Sequence, residues 1–242
     1  KSFVKLLIAL AKFNTIAIMS VSDREVILMN KSVYSLVLSD EIVQEIDRMA
    51  YEAGASRSAM INQVLADYVR YTTPEKRMRE VFSAIEHMLI GSVFEPQLQP
   101  SDSMFSLRSA LDYKYNPSVR YSVELYKNAR PLLGELRVSV RSQNSALVLA
   151  MLQFFKLWTR LENTYIGRVE CAMEDGRYLR KLRISEDSEQ TNEQIGEGIA
   201  AYINLMDSAL KRYFESIHDP AAAITSVEKL YVNYIHSGGM IL

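Results

Sequence analysis

The sequence predicts an α+β fold in two parts: a small strand–helix–helix module near the N-terminus and a larger α+β region behind it. Three patterns carry that expectation. Residues 31–38 alternate ahead of two short helical stripes. A second block of alternation, from Phe105 to Leu125, has turn chemistry at its centre. From residue 144 onward, apolar residues recur at helical spacing. With 242 residues and 48% hydrophobic content, the chain can bury a sizeable core in one or two domains.

Residues 1–28 stand apart. Phe3, Leu6, Leu7, Ile8 and Leu10 are apolar, but Lys5 and Lys12 interrupt the run at a cost that a membrane span does not bear. A signal peptide would carry a short basic start, an apolar stretch and a small-residue cleavage site. Arg24-Glu25-Val26 is compatible with a purine-rich ribosome-binding sequence ahead of Met29. Residues 1–28 are therefore expected to be a leader or a mis-called start, with the working protein beginning at Met29.

The module occupies residues 29–73. Tyr34, Leu36 and Leu38 alternate with Val33, Ser35 and Val37, which is strand periodicity. Ser39 is a candidate N-cap, with Asp40 and Glu41 in the first turn, where the helix dipole favours negative charge. Ile42, Val43, Ile46, Met49 and Ala50 share a helical face, and Gly54 is placed to end that helix. Ser56 caps a second helix, whose expected stripe is Ile61, Val64, Leu65 and Tyr68. Thr73-Pro74 restarts a connecting helix over 74–91, with Met78, Val81, Phe82, Ile85 and Leu89 as its stripe and Gly91 as its stop.

Residues 91–103 carry Pro96 and Pro100 and read as a loop, the candidate boundary before a C-terminal α+β domain at 92–242. Phe105, Leu107, Leu111, Tyr113 and Tyr115 keep period two, with a lapse at Ser109. Asn116-Pro117-Ser118 turns the chain, and Val119, Tyr121, Val123 and Leu125 resume, giving a hairpin. Leu136, Val138 and Val140 suggest a third strand. Residues 144–163 are apolar nearly all round, as in a buried helix, although Lys156 and Arg160 argue against a membrane span. Asp175-Gly176 offers a second hairpin turn. Thr191-x-x-Gln194 matches a capping box, ahead of a stripe from Ile195 to Ile217, and Asp219-Pro220 opens the last helix.

Composition narrows the function classes. A net charge of -1 excludes a general polycation, so any nucleic-acid contact must come from a local surface. The single cysteine, Cys171, cannot form an internal disulfide, which fits a reducing cytoplasm. His87, His218 and His236 show no metal-ligand spacing, and no nucleophile or acid–base set identifies a reaction. No metal, cofactor or catalytic residue is expected. Gly196, Gly198, Gly238 and Gly239 belong to no strand–loop–helix unit, so no nucleotide cradle is expected either.

A strand, a helix, a glycine turn and a second helix within about forty residues cannot bury their own core. Two copies can, with their strands paired as a ribbon that fits the DNA major groove. Leu36-Val37-Leu38-Ser39-Asp40, Ile46-Asp47-Arg48-Met49-Ala50 and Gly54-Ala55-Ser56-Arg57-Ser58-Ala59-Met60-Ile61 closely resemble the ribbon-helix-helix repressors of the plasmid copy-control and Arc/MetJ type. The resemblance covers residues 31–70, about a sixth of the chain. It implies that Lys31, Val33 and Ser35 read bases and that Ser56, Arg57 and Ser58 hold a DNA phosphate. It also implies a dimer core of Tyr34, Leu36, Leu38, Ile42, Ile46, Met49, Ile61, Val64 and Leu65. The anion role has independent physics, because N–H groups at a helix start attract negative charge.

One departure bears on affinity. Val33 and Val37 stand where the family places polar readers, and valine offers a thymine methyl only apolar contact. Between 29 and 73, four cations (Lys31, Arg48, Arg57, Arg70) face six anions (Asp40, Glu41, Glu45, Asp47, Glu52, Asp67), so 4 − 6 = −2. Phosphate contacts dominate affinity, which weakens the expected binding. The expectation is a cytoplasmic, homodimeric regulator, or a higher oligomer, acting on double-stranded DNA. Its C-terminal domain would serve oligomerisation or the sensing of an effector or protein partner. The alternative is an antitoxin whose C-terminal region binds a protein partner, although such tails are shorter and less apolar.

Overall fold

The computed structural model describes residues 34–98, 101–127, 131–174 and 176–240. Residues 1–28, together with Lys31 and Val33, lie outside the described residues. The chain divides into two compact units, one ending at Met60 and one beginning at Ile61.

The first unit holds α1 (Asp40–Glu52) and the start of α2 (Arg57–Tyr68). Ser39 takes the N-cap position in extended conformation, and Asp40 and Glu41 fill the first turn as expected. Gly54 ends the helix at φ +59°, a left-handed conformation that costs glycine little. Residues 34–39 adopt no regular structure, so the expected strand is absent over this stretch of the single chain. The physical reason is simple: a strand is held by hydrogen bonds to a neighbour, and none of the described residues pairs with this stretch. The α2 stripe also differs. Met60 and Ala66 are buried, whereas Val64, Leu65 and Tyr68 are exposed.

The second unit continues with α3 (Pro74–Leu89), β1 (Phe94–Pro96), β2 (Met104–Ala110), β3 (Ser118–Leu125) and β4 (Leu132–Val140). Then follow α4 (Ser145–Tyr165), β5 (Cys171–Glu174), β6 (Arg177–Arg183), α5 (Asn192–Glu215) and α6 (Pro220–His236). The strands form one antiparallel sheet in the order β1-β2-β3-β4-β6-β5. Leu107, Tyr121, Val138 and Tyr178 stand in one row across it, and Phe105, Val123, Leu136 and Arg180 in the next.

These rows face the helices. Phe82 of α3 stacks on Phe105, Phe155 of α4 stacks on Tyr178, and Asp207 of α5 accepts from the Tyr121 hydroxyl. The opposite face carries Arg108, Arg120, Glu124, Glu135, Arg137 and Lys181. It is laced by ion pairs such as Arg137–Glu124 at 2.8 Å and Lys181–Glu135 at 2.6 Å. An antiparallel sheet with one covered and one polar face accounts for the alternation seen in the sequence.

Local chemistry sets the helix ends. Thr73 accepts from the Lys76 N–H with Pro74 at the first helical position, and Thr191 and Gln194 form the full capping box. Asp219 accepts from the Ala222 N–H ahead of Pro220. Three expectations need correction. Residues 91–103 are not all loop, because Phe94–Pro96 adds an edge strand anchored by the buried Phe94 ring. A three-residue edge strand containing proline carries almost no sequence signature. Strand β2 ends at Ala110, so Tyr113 and Tyr115 lie in the connection, Tyr115 at φ +67°. Helix α4 is wet along one side, where Leu149, Lys156 and Arg160 are exposed.

Close approach fixes two glycines. A Cβ on Gly134 would sit 2.0 Å from the Glu124 carbonyl oxygen, beside the irregularity in β4. A Cβ on Gly196 would sit 2.5 Å from the Val81 carbonyl oxygen and 2.6 Å from the Ala84 Cβ, so α3 and α5 cross through this residue. That crossing is the role of Gly196 in this fold.

Candidate nucleic-acid interface

The start of α2 is the place where the structure gathers three residues expected at a DNA phosphate: Ser56, Arg57 and Ser58. All three are exposed. The Ser56 side chain accepts from the Ala59 N–H at 3.3 Å, and its carbonyl accepts from the Met60 N–H at 3.0 Å. The N–H groups of Arg57 and Ser58 receive no hydrogen bond acceptor among the described residues, as the first turn of a helix requires. Open N–H groups of this kind, with the helix dipole behind them, suit an anion.

The Arg57 guanidinium is not free. It reaches back to α1, with Nε donating to Asp47 Oδ1 at 2.6 Å and Nη2 donating to Oδ2 at 2.5 Å. This hydrogen-bonded fork raises the arginine pKa and lowers that of the aspartate. Two other cations among the described residues are also engaged. Arg48 bonds Glu45 and Glu52, and Lys76 lies 2.7 Å from Asp67. Arg70 and Arg79 form no ion pair among the described residues. Ser35 is exposed and makes no hydrogen bond with the α2 start.

The residues expected in a dimer core divide into two sets. Ile46 is buried, and Met49 and Ile61 are half-buried. Tyr34 is 81% exposed, Leu36 60% and Ile42 52%, and Leu38, Val64 and Leu65 also face solvent in the single chain. Comparison with known proteins adds nothing to this geometry. No family model matches the chain, and no match was found among curated proteins or solved structures.

Sequence reasoning missed two buried polar clusters in the second unit. In one, Glu162 of α4 accepts from Arg180 Nε at 2.8 Å, from the Tyr178 hydroxyl at 3.0 Å and from the Tyr202 hydroxyl at 2.8 Å. The Trp158 indole donates to the Tyr202 oxygen at 2.8 Å, and the Arg180 guanidinium lies over the Tyr202 ring. A charged residue inside the inward alternation Tyr178–Arg180–Leu182 was the available signal.

In the other cluster, Asp207 of α5 accepts from Ser109 at 3.2 Å and Tyr121 at 3.0 Å, with Lys211 Nζ at 2.7 Å. The lapse at Ser109 in the β2 alternation is thus an inward hydroxyl with a buried acceptor. Lys211 Nζ also stands 2.7 Å from Ser109 Oγ. Ser109 is buried, so its hydroxyl has no open approach from solvent.

A shallow groove of about 860 Å³ lies between α3 and the start of α5, lined by Arg79, Glu80, Ser83, His87, Asn192 and Glu197. Asn192 Nδ2 donates to Glu80 across it at 2.6 Å. Among the described residues, no cluster of histidine, cysteine and carboxylate side chains could hold a metal ion. No described helix is long and apolar enough to cross a membrane.

Proposed function

We propose that this chain is a dimeric DNA-binding regulator of the ribbon-helix-helix type, in which residues 31–38 of two copies pair as a ribbon that enters the major groove. The observation that carries the reading is the state of residues 34–42 in the single chain. Tyr34, Leu36 and Leu38 alternate, stand in solvent and lead into two helices joined at a left-handed glycine. Apolar side chains at strand spacing without a partner strand are costly to expose, and a second copy supplies both the hydrogen bonds and the cover. The open N–H groups of Arg57 and Ser58 then meet a phosphate on each half of the site. The α+β unit that follows would serve oligomerisation or the sensing of an effector or protein partner, in a cytoplasmic setting.

Two measurements test the proposal. Sedimentation equilibrium of the full chain should give a dimer or a higher assembly of dimers, and Leu36→Asp should shift it to monomer. Fluorescence anisotropy with a labelled duplex from immediately upstream of the coding sequence should show binding that weakens with salt. That binding should exceed binding to a random duplex and fall in Ser35→Ala and Arg57→Ala. A monomeric wild type, or equal affinity for every duplex and variant, refutes the reading.

A further inference from the structure

We infer that Asp47 is an internal competitor for the phosphate-binding arginine, so that the Arg57–Asp47 fork holds DNA affinity below what the module could reach. This inference rests on the proposed function and adds to it a device that sets the strength of binding.

The geometry makes the competition direct. Asp47 occupies Arg57 Nε and Nη2 together, which is the edge of a guanidinium that grips a phosphate through two parallel bonds. The aspartate comes from α1, ten residues upstream, and so belongs to the same short module. A phosphate arriving there meets an engaged cation and a repelling anion.

The fork is nevertheless open to exchange. The Arg57 and Asp47 side chains are 57% and 44% exposed, and exposed ion pairs are weak because water and salt screen them. A phosphate within a duplex, supported by further contacts, can displace such a carboxylate. The pair therefore lowers affinity by a modest factor rather than abolishing binding. The module's other pairings, Arg48 with Glu45 and Glu52, leave Arg57 as the cation whose release changes the α2 start.

The test is a double-mutant cycle in full-length protein: wild type, Asp47→Asn, Arg57→Ala and the double variant. Each is titrated by fluorescence anisotropy against the labelled upstream duplex and a random duplex of equal length, over a salt series. Asparagine keeps the size of the side chain but cannot hold the fork as an anion. We expect Asp47→Asn to bind about two- to fivefold tighter, the range an exposed pair can withhold. Its plot of log affinity against log salt should steepen by about one unit, as one more phosphate contact requires. In the Arg57→Ala background the same substitution should leave only the small gain from removing a negative charge.

An equal gain with and without Arg57, or no gain at all, overturns the inference while leaving DNA binding itself intact. Failure of every variant to bind any duplex at low salt removes the proposed function and the inference with it. Thermal melts accompany each variant, and Asp47→Ser repeats the cycle if the asparagine protein melts lower than wild type.

Discussion

Replacing Glu162 by glutamine should destabilise the α+β unit by about 3–5 kcal/mol, the usual cost of removing one partner of a buried ion pair. The magnitude follows from burial. Glu162 is 0% exposed and Arg180 2%, so neither charge can recover its hydration when the other is lost. The carboxylate also takes hydrogen bonds from the Tyr178 and Tyr202 hydroxyls. Glutamine can still accept but carries no charge, so the buried guanidinium loses the attraction of the Glu162 carboxylate.

The assay is urea unfolding at pH 7 followed by tryptophan emission. Trp158 is the sole tryptophan, and its indole donates to Tyr202 within this same cluster. A domain of ordinary stability, about 5–15 kcal/mol, would lose a large share of it. A loss below about 1 kcal/mol for Glu162→Gln would refute the reasoning, since it would mean that water reaches the pair.

Three further outcomes follow from the same packing. Gly196→Ala should lower stability by about 2 kcal/mol despite the helix preference of alanine, because overpacking at the α3–α5 crossing outweighs a propensity gain of about 1 kcal/mol; a higher melting temperature would contradict the crossing. Tyr231 is fully buried and its hydroxyl has no hydrogen-bond partner among the described residues, so Tyr231→Phe should melt at or above wild type. Tyr202→Phe loses bonds to Trp158 and Glu162 and should melt lower, and the reverse order would be incompatible with these contacts. Burial alone pushes the Glu135 carboxyl up, but Lys181, Tyr126 and Arg137 together more than offset it and hold its pKa below the ordinary 4.5. That contribution to stability is complete above pH 4.5 and is lost as pH falls through the lower folded value. Glu135→Gln should therefore flatten the acid limb of a stability–pH curve, and an unchanged limb would show that the carboxylate is not held.

The legible parts of the fold were those written within a few residues of chain. Thr73-Pro74, Thr191 with Gln194 and Asp219-Pro220 each satisfy N–H groups one turn away, so their helices begin where the residues say. Period two in 118–125 and 132–140 marks strands because one face of the sheet is covered and the other is wet. At the candidate interface, the cap at Ser56 and the turn at Gly54 were legible for the same reason. The fork between Arg57 and Asp47 was not, since nothing in either residue type names the other.

The sequence by itself determined most helix starts and the central strands of the second unit. Only the tertiary structure decided how distant polar residues meet. Glu162 finds Arg180 eighteen positions away, and Asp207 finds Ser109 ninety-eight positions away. A helix cap is fixed by neighbours along the chain. A buried charge is fixed by whichever group the folded core brings to it, and that choice is made by the packing of α4 and α5 on the sheet.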